Sequence, residues 1–137
     1  MNRFTIQLDE IKAAYAAEPN PTIEVRLDRI ARIEKMIEAN EEKICKALEA
    51  DFGVRHPVET RLAECQMIYQ ACKYTRKHLK EWMKPEQREV PFHMGASQAW
   101  VESQSLGVVG ILSPWNYPVQ LALIPAIAAF AAGNRVW

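Results

Sequence analysis

The stretch Leu106-Gly107-Val108-Val109-Gly110-Ile111-Leu112-Ser113-Pro114-Trp115-Asn116-Tyr117-Pro118 limits the architecture more than any other part of the chain. Val108, Val109, Ile111 and Leu112 form a short apolar run rich in β-branched residues, bounded by Gly107 and Pro114. Such a run predicts a strand over about 107–113, buried on both faces. Ser113 to Tyr117 reads as a tight, uncharged turn. Pro118 suits the first position of a helix, where its missing N–H costs nothing. Strand, turn and helix in that order open a βαβ unit, and α/β sheets place ligands at the carboxyl ends of their strands. Asn116 therefore stands where such a fold does its chemistry.

Two readings of Asn116 stay open on spacing alone. Its amide donates two hydrogen bonds without carrying charge. A fixed neutral donor beside a dry pocket suits an oxyanion that exists only in a transition state. Asn is equally a common turn and N-cap residue, so Asn116 also reads as the cap of the following helix.

Charge divides the chain in two. After Glu102 the only charged residue is Arg135, so a charged, helical front meets an apolar tail. Over the 137 residues, 17 basic side chains balance 17 acidic ones, and neither nucleic acid nor an anionic membrane is indicated as a partner. No apolar segment near the start resembles a secretory signal, which leads us to expect a cytoplasmic protein. Cys45, Cys65 and Cys72 lack metal-ligand spacing and read as small core residues in a reducing compartment. On one helix, Cys65 and Cys72 would lie about 10 Å apart along the axis, beyond disulfide reach. His56, His78 and His93 are scattered and form neither a metal site nor a triad, so they read as surface or helix-end residues.

In the front half, Arg3 to Ala17 carries Phe4, Ile6, Leu8, Ile11 and Tyr15 near one helical face. Glu18-Pro19-Asn20-Pro21 breaks it. Asn20 as cap with Pro21 at the first position starts the next helix, with Thr22 as the alternative cap. Leu27, Ile30, Ile33, Ile37, Ile44 and Leu48 give that helix an apolar stripe. Asp28, Arg29, Arg32, Glu34, Lys35, Glu38, Glu41, Glu42 and Lys43 occupy its other faces. Gly53 ends it. His56-Pro57 opens a third helix with a stripe of Val58, Leu62, Cys65, Tyr69, Cys72, Leu79 and Met83, stopped by Pro85.

From Arg88 to Ser105 the period becomes two. Val90, Phe92 and Met94 alternate with Glu89, Pro91 and His93. Gly95-Ala96-Ser97 turns, and Ala99, Val101 and Ser103 alternate with Trp100, Glu102 and Gln104. This predicts a β-hairpin, with Pro91 at an edge. Pro118 to Ala132 is then a nearly all-apolar helix, too short to span a membrane and expected to kink at Pro125. It reads as buried on most sides. Gly133-Asn134 ends it, and Arg135-Val136-Trp137 begins a second strand. Gly107 and Gly110 are too weakly spaced to indicate a phosphate loop.

Gly107-Val108-Val109-Gly110-Ile111-Leu112-Ser113-Pro114-Trp115-Asn116-Tyr117-Pro118, followed by Ala131-Ala132-Gly133-Asn134-Arg135-Val136, resembles the aldehyde dehydrogenase superfamily. The Pro-Trp-Asn-Tyr-Pro form is similar to its class 3 and coniferyl-aldehyde-dehydrogenase-like branch. Ala50-Asp51-Phe52-Gly53, Glu59-Thr60, Ala63-Glu64 and His78-Leu79-Lys80-Glu81-Trp82-Met83-Lys84-Pro85 fit that branch as well. The resemblance runs from about Phe4 to Trp137.

It implies an α/β fold: helices over 1–87 packed on a cofactor domain, the hairpin over 88–105 within an oligomerisation arm, and 106–137 as the first βα of a Rossmann-like, NAD- or NADP-binding domain. It implies oxidation of an aldehyde to the acid. A cysteine thiolate attacks the carbonyl, Asn116 and a backbone N–H hold the thiohemiacetal oxyanion, hydride passes to the nicotinamide and water releases the acid. Ile111, Leu112, Ser113, Pro114 and Trp115 would line the nicotinamide end, with Trp115 and Tyr117 shaping the substrate channel. Core packing is the competing reading for those two aromatics. The family's cofactor lysine, general-base glutamate and nucleophilic cysteine would all lie beyond Trp137. The chain is thus expected to be an N-terminal piece of a homo-oligomeric, dimeric enzyme, inactive alone. A truncated or self-associating, non-catalytic product is the alternative. No metal site is expected.

Overall fold

The computed structural model describes residues 2–137. Helix α1 (Arg3–Ala17) is capped by Asn2, whose side chain accepts from Phe4 N. It lies over the strand pair described below: Leu8, Ile11 and Tyr15 are half-buried, and Phe4 stays exposed with its ring edge-on to Trp137. The Tyr15 hydroxyl meets Ser105 Oγ at 2.9 Å, which ties α1 to the entry of the tail.

Helix α2 (Ile23–Phe52) begins at Thr22, not Asn20. Pro21 is fully buried and Asn20 is used otherwise, its side-chain oxygen accepting from Arg26. Gly53 closes α2 at φ 71°, a left-handed cap that glycine adopts without a Cβ penalty. Ile30, Ile33, Ile37 and Leu48 turn inward as their spacing predicts. Arg29 does not follow the outward placement expected of it. It is buried, and its guanidinium donates to Glu18 Oε2 at 2.6 Å.

The third helical run comes in three pieces: α3 (Pro57–Thr60), a π-helical turn (Arg61–Cys65) and α4 (Gln66–Trp82). His56 caps it, with Nδ1 accepting from Val58 N. From Cys65 onward the predicted stripe holds: Cys65, Ile68, Cys72, Thr75 and Leu79 are buried. Before Cys65 it fails. Val58 and Leu62 are exposed, and Thr60 and Glu64 point inward with no solvent exposure. A π-turn takes about one residue more than an α-turn, so the inward face shifts across it. An α-helical period carried straight through the turn therefore names the wrong residues.

A hairpin forms, but from a different first strand. β1 (Glu86–Arg88) pairs antiparallel with β2 (Ala99–Val101), Gln87 opposite Trp100. Val90–Met94 is not a strand. Pro91 lacks a donor for a ladder, residues 92–94 form a single 3-10 turn, and Gly95 at φ 62° reverses the chain. Every residue of β1 and β2 is exposed.

The tail is the expected βαβ opening in shortened form. β3 (Val108–Val109) runs parallel to β4 (Arg135–Val136), joined by α5 (Pro118–Ala131). Backbone bonds from Arg135 N to Gly107 O and from Ile111 N to Trp137 O, both 2.9 Å, extend the pairing from Gly107 to Ile111. Beyond Ile111 the chain leaves the ladder, so the strand does not reach residue 113. Val108 and Val109 are half-buried, not covered on both faces, because β4 and α1 are the neighbours that reach them. Helix α5 packs against α2 and α4, and its buried Ile127 and Ala131 form one core with Ile30, Ile37, Ile68, Cys72 and Leu79. The helix continues through Pro125, and Val119–Ile124 are half-buried, not enclosed on most sides.

Candidate active-site turn

The segment 112–117 emerges from the carboxyl end of β3 and enters α5. It carries the candidate site residues on one short loop. Ile111 is half-buried; Leu112 (99% exposed), Ser113, Pro114, Trp115 and Asn116 face outward. Tyr117 is half-buried. Ser113 holds the loop closed across itself: its hydroxyl donates to Pro118 O at 2.7 Å and approaches Pro114 O at 3.2 Å. Tyr117 occupies the cap position of α5 and makes no side-chain cap bond. Among the described residues the Asn116 amide has no hydrogen-bond partner, so the amide caps nothing here.

What holds the Asn116 turn comes from elsewhere in the chain. Arg55, just past the α2 cap, donates from Nη2 to Asn116 O at 2.8 Å. Its guanidinium lies between two rings, 3.9 Å from the Phe52 centroid and 4.7 Å from that of Tyr117. Glu59 sits at its edge, 3.7 Å from Nε, and accepts from the Tyr117 hydroxyl at 3.4 Å. Glu64 stands 3.5 Å from Arg55 Nη1. Its other oxygen accepts from Gln120 N at 2.7 Å, in the first turn of α5. Burial raises the Glu64 pKa above the ordinary carboxylate value, opposed by the N–H groups of Gln120 and Val119 and by the charge of Arg55.

Glu64 thereby fills the amino-terminal pole of α5. In dinucleotide folds with a glycine-rich first turn, that pole receives the pyrophosphate. Here Pro118 has no N–H to offer and Gln120 is committed to a buried carboxylate. The loop instead presents exposed apolar side chains, Leu112 and Trp115, which fit a flat ring better than a phosphate.

Spacing did not single out Arg55, Glu59 or Glu64. The pairs Glu59-Thr60 and Ala63-Glu64 entered only as points of resemblance, without a role. The available signal was Glu64 four residues after Thr60, two polar residues on one helical face, and it emerges only once the π-turn is known. The opposite end of α5 holds a second unforeseen cluster. Asn134, 5% exposed, accepts from Leu106 N and Gly107 N at 2.7 and 3.0 Å and donates to Ala129 O at 3.3 Å. It clamps the start of β3 to the end of α5. Arg26, 4% exposed, donates to Pro21 O, Ala131 O and Asn20 Oδ1, each at 2.9 Å.

The three cysteines are free and buried, and burial pushes the Cys65 and Cys72 thiols up to about 11. Thiols of that kind are poor nucleophiles at neutral pH. Among the described residues no cluster of potential metal ligands occurs, and no helix is long and apolar enough to cross a membrane.

A parallel strand pair bridged by a helix, with an exposed turn following the first strand, defines the opening of a Rossmann-like α/β domain. The particular family follows from comparison with known proteins: residues 8–137 match the aldehyde dehydrogenase family model, and the chain belongs to that family. Coniferyl aldehyde dehydrogenase of Pseudomonas sp. is 41% identical over 128 residues, covering 93% of this chain and 26% of that protein. A solved structure of the substrate-bound state of Staphylococcus aureus AldH superposes with a TM-score of 0.93 at 29% identity, covering 99% of this chain and 30% of that one. Glyceraldehyde-3-phosphate dehydrogenase of Methanocaldococcus jannaschii, complexed with NADP, shares the fold with a TM-score of 0.77 at 23% identity, over 93% of this chain and 26% of that chain. This chain thus spans about a quarter of the length of the curated relatives it matches.

Proposed function

We propose that this chain supplies the oxyanion-holding turn and the nicotinamide-facing wall of an NAD- or NADP-dependent aldehyde dehydrogenase acting in the cytoplasm as a homo-oligomer. The relative named for coniferyl aldehyde points to an aromatic aldehyde as substrate class. The observation that carries the reading is the Asn116 amide. It is exposed at the carboxyl end of β3, free of any capping bond, while its own backbone is pinned by Arg55. A donor fixed in that way is ready for an oxygen that gains charge when a thiolate adds to the carbonyl. Leu112 and Trp115 offer an apolar surface beside it, and Tyr117 shapes the approach from the Glu59 side. When bound, the nicotinamide accepts the hydride.

The test uses the complete enzyme that carries this segment. Asn116→Ala should lower kcat by about 10²–10³, with cofactor affinity little changed. Asn116→Asp should be at least as harmful, since a carboxylate repels the oxyanion. A helix cap would behave differently: its loss costs about 1 kcal/mol of stability and leaves turnover intact. An alanine variant that melts lower but turns over at the wild-type rate removes Asn116 from the mechanism.

For the 137-residue chain by itself, exposed apolar side chains favour a second, non-catalytic reading. Leu106, Leu112, Trp115 and Phe92 are 80–100% exposed, and one side of α5 is only half-covered. Apolar surface of that kind seeks a partner. The isolated chain is expected to self-associate and to oxidise no aldehyde. Ultracentrifugation showing a monomer, or any NAD-dependent turnover, contradicts this.

A further inference from the structure

An exposed side chain without a partner is placed only as well as its backbone is placed. Catalytic donors must be held to about 0.5 Å, and loops achieve this only when other residues lock them. The Asn116 turn has two such locks from outside itself. Arg55 Nη2 holds the Asn116 carbonyl oxygen, fixing the 116–117 peptide plane and with it the direction of the Asn116 side chain. Glu64 holds Gln120 N and so sets where α5 begins. The two are paired with each other through Arg55 Nη1 and Glu64 Oε1.

Neither lock is explained by stability. The Arg55 side chain is 9% exposed and Glu64 is fully buried. At 3.5 Å their facing atoms make an ion pair but no hydrogen bond, and Arg55 Nη1, Glu64 Oε1 and Thr60 Oγ1 are all left without a hydrogen-bond partner. A buried pair satisfied this poorly is weak as a stabilising device, because desolvation offsets much of its attraction. The π-turn that brings Glu64 inward also departs from regular helix, and such turns concentrate at functional sites.

We propose that Arg55 and Glu64 are positioning residues for the Asn116 turn, acting through its backbone and not on the substrate. The proposal rests on the oxyanion reading of Asn116. Arg55 is needed as arginine: its guanidinium carbon lies over the Phe52 and Tyr117 rings while its nitrogens reach Asn116 O and both carboxylates. Lysine has neither the plane nor the fork. Glu64 orients Arg55 by charge and α5 by its accepted bond.

The experiment is a double-mutant cycle in the complete enzyme. Arg55→Met should lower kcat by about 10-fold, with aldehyde KM within about 2-fold, since an oxyanion donor acts in the transition state alone. In an Asn116→Ala background the same change should cost less than about 2-fold, because the residue being positioned is gone. Glu64→Gln keeps an acceptor for Gln120 N but loses the charge facing Arg55, and should give a smaller loss with the same dependence on Asn116. Equal losses in both backgrounds, or no loss in the wild-type background, overturn the proposal. Hydrogen exchange of the Gln120 and Leu121 amides gives a readout independent of turnover. Arg55→Met and Arg55→Lys should speed it by about 10-fold while α2 exchanges as before; unchanged exchange overturns the proposal as well. If the wild-type enzyme oxidises no aldehyde, the functional reading fails on its own, and the exchange measurement still decides whether Arg55 holds the turn.

Discussion

The two ends of α5 are held in the same way but to different degrees. At the carboxyl end a buried cation, Arg26, donates to Ala131 O, one of the carbonyls a helix end leaves unpaired. At the amino end a buried anion, Glu64, accepts from Gln120 N. Each charge opposes the helix dipole where it sits, as electrostatics favours. The difference is in completeness. Arg26 makes three hydrogen bonds, and Gly133 packs so tightly beside it that a Cβ would come within 3.0 Å of its guanidinium. The Glu64 end leaves three buried polar atoms without hydrogen bonds and borders an exposed loop. Arg26, with each of its guanidinium nitrogens bonded, serves as an anchor, and the Glu64–Arg55 pair with its unbonded atoms lies beside the candidate chemistry.

The largest effect is expected from breaking the anchor. Arg26→Met strands the buried oxygens of Pro21 and Ala131 and removes the bond to Asn20, and should destabilise the complete protein by about 3–5 kcal/mol. Turnover per folded molecule should stay near wild type, measured as Tm and active-site-normalised kcat together. A large kcat loss in folded molecules would show that the two ends do not divide anchoring from chemistry.

Gly133→Ala probes the same end more gently. At φ 89° an alanine is strained, and its Cβ would press on Arg26. The expected cost is about 2 kcal/mol, read from denaturant midpoints at unchanged slope. Stability within experimental error of wild type would mean that Arg26 shifts freely and is no anchor.

The smallest effect is a change in the shape of a pH curve at the other end. Burial raises the Glu64 pKa above 4.5, so the folded state holds this proton more tightly than the unfolded state. The contribution of this group to stability is therefore greatest at low pH and declines as pH rises from the unfolded value through the folded one. Arg55 and Glu59 are the charged groups facing this cluster, with the α5 N–H groups on the remaining side. Glu64→Gln removes the titration. Between about pH 4 and 8 its Tm should gain on that of the wild type as pH rises. A constant difference would mean that the carboxylate ionises as freely in the fold as outside it.

The hairpin and the third helix show how far local rules reach. Gly95 marked a reversal correctly, yet strand pairing settled on Glu86–Arg88, not on the alternating Val90–Met94. Alternation tells which residues could share a face; a ladder also needs donors and a partner in register. In the third helix a single π-turn exchanged Val58 and Leu62 for Thr60 and Glu64 on the inward face. Of the candidate site, the loop 111–117 was legible from its strand-turn-helix pattern. Its supports, Arg55, Glu59 and Glu64, were not.

The sequence by itself determined the features that depend on one or a few neighbouring residues. Pro118 starts α5, Gly53 ends α2, the Glu18–Pro21 segment separates α1 from α2, and the apolar spacing of Ile30, Ile33 and Ile37 turns one face of α2 inward. These follow from fixed dihedrals, missing donors and helical geometry. Only the tertiary structure decided which charges are buried and what they hold. Arg26 reaches Ala131 across 105 residues of chain, Arg55 reaches Asn116 across 61, and Glu64 reaches Gln120 across 56. A buried charge takes its role from the groups that other segments bring to it, and local spacing carries no information about those groups.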